Sequence, residues 1–248
     1  MQSGAVIEIP RMPLARTTGG IYLAFVVCLF LADMLGHIVV GDVDLAYEAL
    51  ATDPSQFDLA VTFALLSAFL FAVAAWGLYV LLRPVNRELA LLLLVLNAIG
   101  VAIQVASYIP LLYAMLSADA SVFASSFSAE QSEGLQRLSF DVQKLSFVTA
   151  QLFFATWLFP LGYLVYKSGF LPKFLGVLLL LDGVAILIWF FQGLLLPDQT
   201  ALSTPGLALS FIAEVALGLW LLVKGIEESP STSRPTPDQP GGPQPGGR

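Results

Sequence analysis

Residues 59–82 read LAVTFALLSAFLFAVAAWGLYVLL, a run without one charged side chain. At about 1.5 Å per residue, a helix of this length crosses the roughly 30 Å of hydrocarbon in a bilayer. As a buried soluble helix it would need a large polar surface elsewhere, and the chain has none to offer. Of its 248 residues 57% are hydrophobic and only 12% charged, and the mean hydropathy is +0.82. Ordinary soluble domains carry about a quarter charged residues. The composition therefore excludes a soluble globular protein and points to an integral membrane protein.

Outward from this run, five further blocks have similar length and character: residues 20–40, 89–112, 142–165, 174–195 and 206–223. A lipid-exposed backbone must satisfy its own hydrogen bonds, so such blocks fold as helices. A membrane β-barrel would instead show ten-residue alternating segments, and none is present. The expected fold is all-α: a polytopic transmembrane bundle of six helices. Arg11 and Arg16 precede the first block, but it is too long for a signal peptide and lacks a small-residue cleavage site. The single Cys28 excludes an intramolecular disulfide and reads as apolar filler.

Lys and Arg in short loops set the orientation. Arg11, Arg16, Arg83, Arg87, Lys167, Lys173 and Lys224 fall on one side of an alternating six-helix chain. Asp42, Asp44, Glu48, Asp53, Asp58, Asp119, Glu130, Glu133 and Asp198 fall on the other, with Arg137. Both termini are then cytoplasmic. The net charge of −7 is mostly an acidic outer face, which argues against nucleic acid as a partner.

The expected organisation is a polar lead-in (1–18), a six-helix membrane domain (19–226) and a Pro/Gly-rich tail (227–248) with the composition of a disordered segment. The stretch from Gly41 to Gln56 suggests a short surface helix ending near Asp53-Pro54. Ser128 and Gln131 fit a capping box, after which Leu135, Leu138, Val142 and Leu145 recur at helical spacing. The fourth membrane helix should thus begin outside the bilayer. A faint repeat aligns residues 77–103 with 162–188 and pairs Asn97 with Asp182. Small residues at spacing four, Ala64, Ala68 and Ala72 on one helix and Ala98, Ala102 and Ala106 on the next, read as helix-packing faces.

The ionisable groups at depth carry most of the functional information. Asp182 and Glu214 fall near mid-membrane, Asp33 towards the outer side and His37 one turn beyond it. Asn97 lies inside of centre, Gln104 and Gln151 outside it, and Lys144 near the outer edge. An acid at the centre of an inserting helix costs about 2.5–3.5 kcal/mol, so three acids should face each other, a cavity or a partner. Asp33 and His37, four apart in FLADMLGHIVV (30–40), would share one helical face. They read either as a self-satisfied polar pair, as part of a proton- or ligand-handling site, or as groups reaching outer water. Asp33, His37, Asn97, Asp182 and Glu214 are the candidate lining of a ligand site.

One histidine cannot supply a multi-His zinc site or paired haem ligands. No nucleophile elbow, P-loop or HExxH is present. No cofactor is implied.

The stretch YLVYKSGFLPKFLGVLLLLDGVA (163–185) resembles the signature region of a bacterial six-helix membrane family catalogued as domain of unknown function 4386. RTTGGIYLAFVVCLF (16–30), RPVNRELALLLLVLNAIG (83–100) and FIAEVALGLWLLVKG (211–225) resemble it too, in the same order. The resemblance spans roughly residues 14–226. It implies a six-helix integral membrane domain and assigns no activity. Lys167, Gly169, Pro172, Gly176, Glu214 and Lys224 stand at positions matching the family pattern. Three function classes stay open. The favoured one is a permease-like or ligand-binding protein of the inner membrane, handling a small molecule or a proton. The second is a partner or regulatory subunit assembled with another membrane protein or with its own copies. The third is an enzyme acting on a lipid or quinone-like substrate.

Overall fold

A computed structural model describes residues 11–40, 42–118 and 128–226. Among them are α1 (Arg11–Gly36), α2 (Val43–Thr52), α3 (Pro54–Leu82), α4 (Arg87–Ser107), α5 (Ile109–Ala118), α6 (Ala129–Lys167), α7 (Lys173–Leu195) and α8 (Thr204–Val223). Among the described residues, six spans are long and apolar enough to cross a membrane: α1, α3, α4 with α5, α6, α7, and α8 with the 3-10 turn Thr200–Leu202 before it. The protein is an all-α, multi-pass membrane protein. The Pro/Gly-rich tail lies outside the described residues.

Local chemistry sets the helix ends. Asp53 caps α3 by accepting from the Gln56 amide at 3.0 Å, with Pro54 opening the helix. Asn86 caps α4 through the Leu89 amide at 3.0 Å. Ser128 and Gln131 form the expected reciprocal capping box that starts α6, which then runs 39 residues, more than a bilayer crossing needs. At the C-terminal end of α8, the inner end on the orientation expected from the basic loops, Gly225 adopts φ +68° and its amide reaches back to the Trp220 carbonyl at 3.0 Å, closing the helix. On the outer face, α2 is the short surface helix the sequence suggests. It is held to α6 by Arg137, which reaches Asp44 at 2.9 Å, Glu133 at 3.3 Å and the Tyr47 ring at 4.5 Å.

The six spans pack as a closed ring in the order α3, α1, α8, α7, α6, α4, with α4 returning to α3. Side chains of α3 and α6 meet inside it. Phe25 stacks on Phe71 at 4.2 Å, and Phe71 meets Trp157 edge-on at 5.1 Å. In lipid there is no hydrophobic drive between helices, so close approach over small residues does the joining. A Cβ on Gly162 of α6 would stand 2.8 Å from the Gly176 carbonyl oxygen of α7. The corresponding glycine of the faint repeat, Gly77, packs on Thr18 of α1 instead.

Two expectations are corrected. The first span ends at Gly36 rather than Val40: His37 takes φ 52°, a left-handed residue after the helix, so Asp33 and His37 do not share a helical face. Gly36 meets Ala60 closely enough that a Cβ there would stand 2.6 Å from it, and the chain turns at this contact. The third span covers its expected block across α4 and α5, with a turn at Tyr108 ahead of Pro110, which has no amide to continue the α4 ladder. Finally, Ala98, Ala102 and Ala106 are exposed on the lipid side. The packed face of α4 is Asn97, Gly100, Gln104 and Ser107, because polar side chains are far costlier than alanine against hydrocarbon. Ala64 and Ala68 of α3 are fully buried, as expected, and Ala72 is half-buried.

Candidate functional site

α1 and α8 are pressed together in the inner half of the bundle. A Cβ on Gly19 would stand 2.5 Å from the Leu222 amide nitrogen and 2.7 Å from the Gly218 carbonyl oxygen. Outward of that seam the cavity opens. Gly218, Glu214 and Ser210 succeed one another at spacing four on α8, so one helix face carries the seam, then a carboxylate, then a hydroxyl.

The space above the seam is a cleft of about 200 Å³. Its walls are apolar and largely aromatic, with Phe25, Phe71, Phe147, Phe154, Trp157 and Trp189 among them. An apolar cavity of about 150 Å³ can already hold a benzene-sized group. The lining residues with substantial outer surface are Phe30, Val40 and Phe211, from α1, the segment after it and α8. The mouth therefore lies between α1 and α8 and faces laterally, at the outer half of the bundle.

Polar groups in the cleft are few: Asp33, Gln104, Gln151, Ser210 and Glu214. The two carboxylates offer acceptors, and each glutamine has one of its two amide donors committed. Gln104 gives its Nε2 to the Tyr108 hydroxyl at 3.1 Å and leaves Oε1 buried without a partner. Gln151 gives its Nε2 to the Phe147 carbonyl at 3.2 Å. Among the described residues, no Lys, Arg or His lines the cleft.

The five residues singled out from the sequence separate into distinct places. Glu214 lines the cleft. Asp33 lines its outer rim, and its Oδ1 accepts from the amides of Val39 and Val40 at 3.0 and 2.9 Å, closing the turn after α1. His37 lines a separate space of about 40 Å³ on the outer face, with Asp42, Gln143 and Lys144. Asn97 is fully buried on the packed face of α4, with neither side-chain polar atom hydrogen-bonded, and does not line the cleft. Asp182 has no exposed surface and neither carboxyl oxygen has a hydrogen-bond partner; it stands behind the cleft, within electrostatic reach of Glu214 and beside Ser210.

Sequence reasoning missed Tyr22. It is fully buried on α1, edge-on to Phe25 at 5.5 Å, and its hydroxyl stands beside Glu214 without completing a hydrogen bond. Its one signal is a phenol hydroxyl in mid-span, where it has no water to meet. Ser210 was missed as well, although its spacing of four from Glu214 places both on one face.

A six-helix bundle with a lateral, acceptor-lined cleft defines a class of multi-pass membrane protein with an intramembrane pocket. Within that class, the chain belongs to the family described as Domain of unknown function (DUF4386), whose model matches residues 17–225. An uncharacterized protein of Archaeoglobus fulgidus is 35% identical over 83 residues, which is 32% of this chain and 45% of that one. The aligned part thus spans under half the length of that relative. No solved structure matches the chain.

Proposed function

We propose that the protein is a ligand-binding, permease-like component of the cytoplasmic membrane that takes a neutral or cationic amphiphile from the outer leaflet. The observation that carries this reading is the mismatch between the walls and the floor of one cleft. Its walls suit a hydrocarbon or ring system, while its polar groups are mainly acceptors around a carboxylate. A head group bearing hydroxyl or ammonium donors satisfies them. A phosphate or carboxylate head would meet Glu214 with no cation to offset the repulsion. The lateral mouth between Phe30 and Phe211 suits entry from lipid.

Native mass spectrometry of the protein extracted gently from its own membrane tests this. The wild-type protein is expected to carry an added mass that octadecylammonium displaces and octadecyl phosphate does not, and that Glu214→Gln loses. A protein free of added mass in both forms, or one carrying only a second polypeptide, overturns the reading in favour of a structural or partner role. Turnover of a labelled lipid extract would favour the enzyme reading instead.

A further inference from the structure

At the cleft floor and just behind it, three polar side chains from three helices converge: Glu214 of α8, which lines the cleft with Ser210, and Tyr22 of α1 and Asp182 of α7 behind them. Asp182 has no exposed surface, and neither of its carboxyl oxygens accepts a hydrogen bond. The Tyr22 hydroxyl is equally buried and equally unpartnered. Among the described residues, no Lys, Arg or His acts on either carboxyl, and α6, packed against α7, places no titratable group on them. Two carboxyl groups within reach of each other in a low-dielectric interior cannot both stay ionised without a compensating cation, and pairs of this kind share protons.

We propose that Asp182 and Glu214 form an exchangeable proton site, loaded from the outer side through the cleft. Glu214 lines the cleft and Asp182 does not, so Glu214 is the exchange point and Asp182 the reserve. In exchange, the O–H bond of the Glu214 carboxyl breaks and its proton passes to water at the cleft mouth. The second carboxyl keeps its own proton, and the Tyr22 and Ser210 hydroxyls turn their hydrogens towards the new carboxylate. Inward release is blocked by the seam where Gly19 meets Gly218 and Leu222. A donor-bearing head group seated on Glu214 occupies the same oxygens as the proton, so ligand and proton are linked. The proton site itself stands on the buried cluster and does not depend on an amphiphile being bound.

Infrared difference spectroscopy of the full chain in lipid nanodiscs, titrated between about pH 4 and 10 without added ligand, reads the site through the acid C=O stretch. The expected wild-type result is a two-step change in that band. Either Asp182→Asn or Glu214→Gln is expected to remove one component and leave a single step. Tyr22→Phe, which keeps the ring packing, is expected to alter the band of the remaining pair, and it serves where a carboxyl variant does not fold. An acid band that is missing from the wild type, that does not change in any folded variant, or that appears only when Na⁺ is withdrawn overturns the proposal; the last outcome would make the occupant a metal cation. A wild-type protein that carries no added mass yet keeps the two-step titration would sink the amphiphile reading alone.

Discussion

Gly19 of α1 and Gly218 of α8 meet so closely that a Cβ on the first would stand 2.7 Å from the carbonyl oxygen of the second. This contact sets the shape of the site, because helices pinned at their inner halves can part at their outer halves. Gly19→Val is expected to push α1 from α8 and to destabilise the bundle by about 1–3 kcal/mol, as overpacking does. Thermal unfolding in nanodiscs would show it as a lower Tm. Gly20→Val is the control, since a Cβ there meets only the tip of Leu222, at 3.7 Å. Equal losses at both positions would mean that the seam is not what holds the two helices.

Asp33 works first as a cap. Its Oδ1 takes the amides of Val39 and Val40, and the carbonyl of its own residue takes the His37 amide at 2.8 Å. Asp33→Ala should cost about 1–2 kcal/mol by stranding two donors, whereas Asp33→Asn keeps an acceptor and should cost less than about 1 kcal/mol. Hydrogen exchange at Val39 and Val40 should accelerate in the alanine variant only. Equal acceleration in both would show that the carboxylate charge, rather than its geometry, holds the turn.

Much of this architecture is legible in the amino-acid order. The six spans follow from runs such as 59–82, and the start of α6 follows from Ser128 and Gln131, because hydrocarbon length and helix capping are local rules. The end of α1 is less legible. The apolar run continues to Val40, so hydropathy masks the stop that Gly36 and the left-handed His37 impose. The face of α4 misleads for another reason. Two stripes run along it, Ala98–Ala102–Ala106 and Asn97–Gly100–Gln104, and either could pack. Only the penalty for polar groups in lipid decides between them, in favour of the second. The meeting of Asp182 with Glu214 and Tyr22 is a property of helix order around the ring, which no single segment encodes.

The outward alanine stripe gives a direct check on that choice. Ala102→Leu adds apolar volume on a lipid-facing position and should leave Tm unchanged, within about 0.5 kcal/mol. Gly100→Ala, opposite it, should be destabilising, because a Cβ there would stand 2.6 Å from the Phe154 ring. The reverse order of effects would show that the two faces of α4 had been exchanged. A shift in oligomeric size by Ala102→Leu with Tm unchanged would instead reveal a helix partner on that face.

Filling the cleft separates shape from charge. Leu207 lines the cavity on α8, about two turns before Glu214, and is half-buried. Leu207→Trp should occupy that space while leaving Glu214 and its neighbours in place. Ligand affinity is expected to fall at least tenfold, about 1.4 kcal/mol, with Tm equal to or above that of the wild type. The acid C=O titration should keep its two steps, because the carboxyl pair is untouched. If Leu207→Trp instead leaves the added mass in native mass spectra as abundant as before, the bound molecule does not occupy this cleft. Its loss in Glu214→Gln would then report an indirect effect of the carboxylate on the bundle, since steric filling and charge removal must agree if one cleft holds both the tail and the head of the ligand.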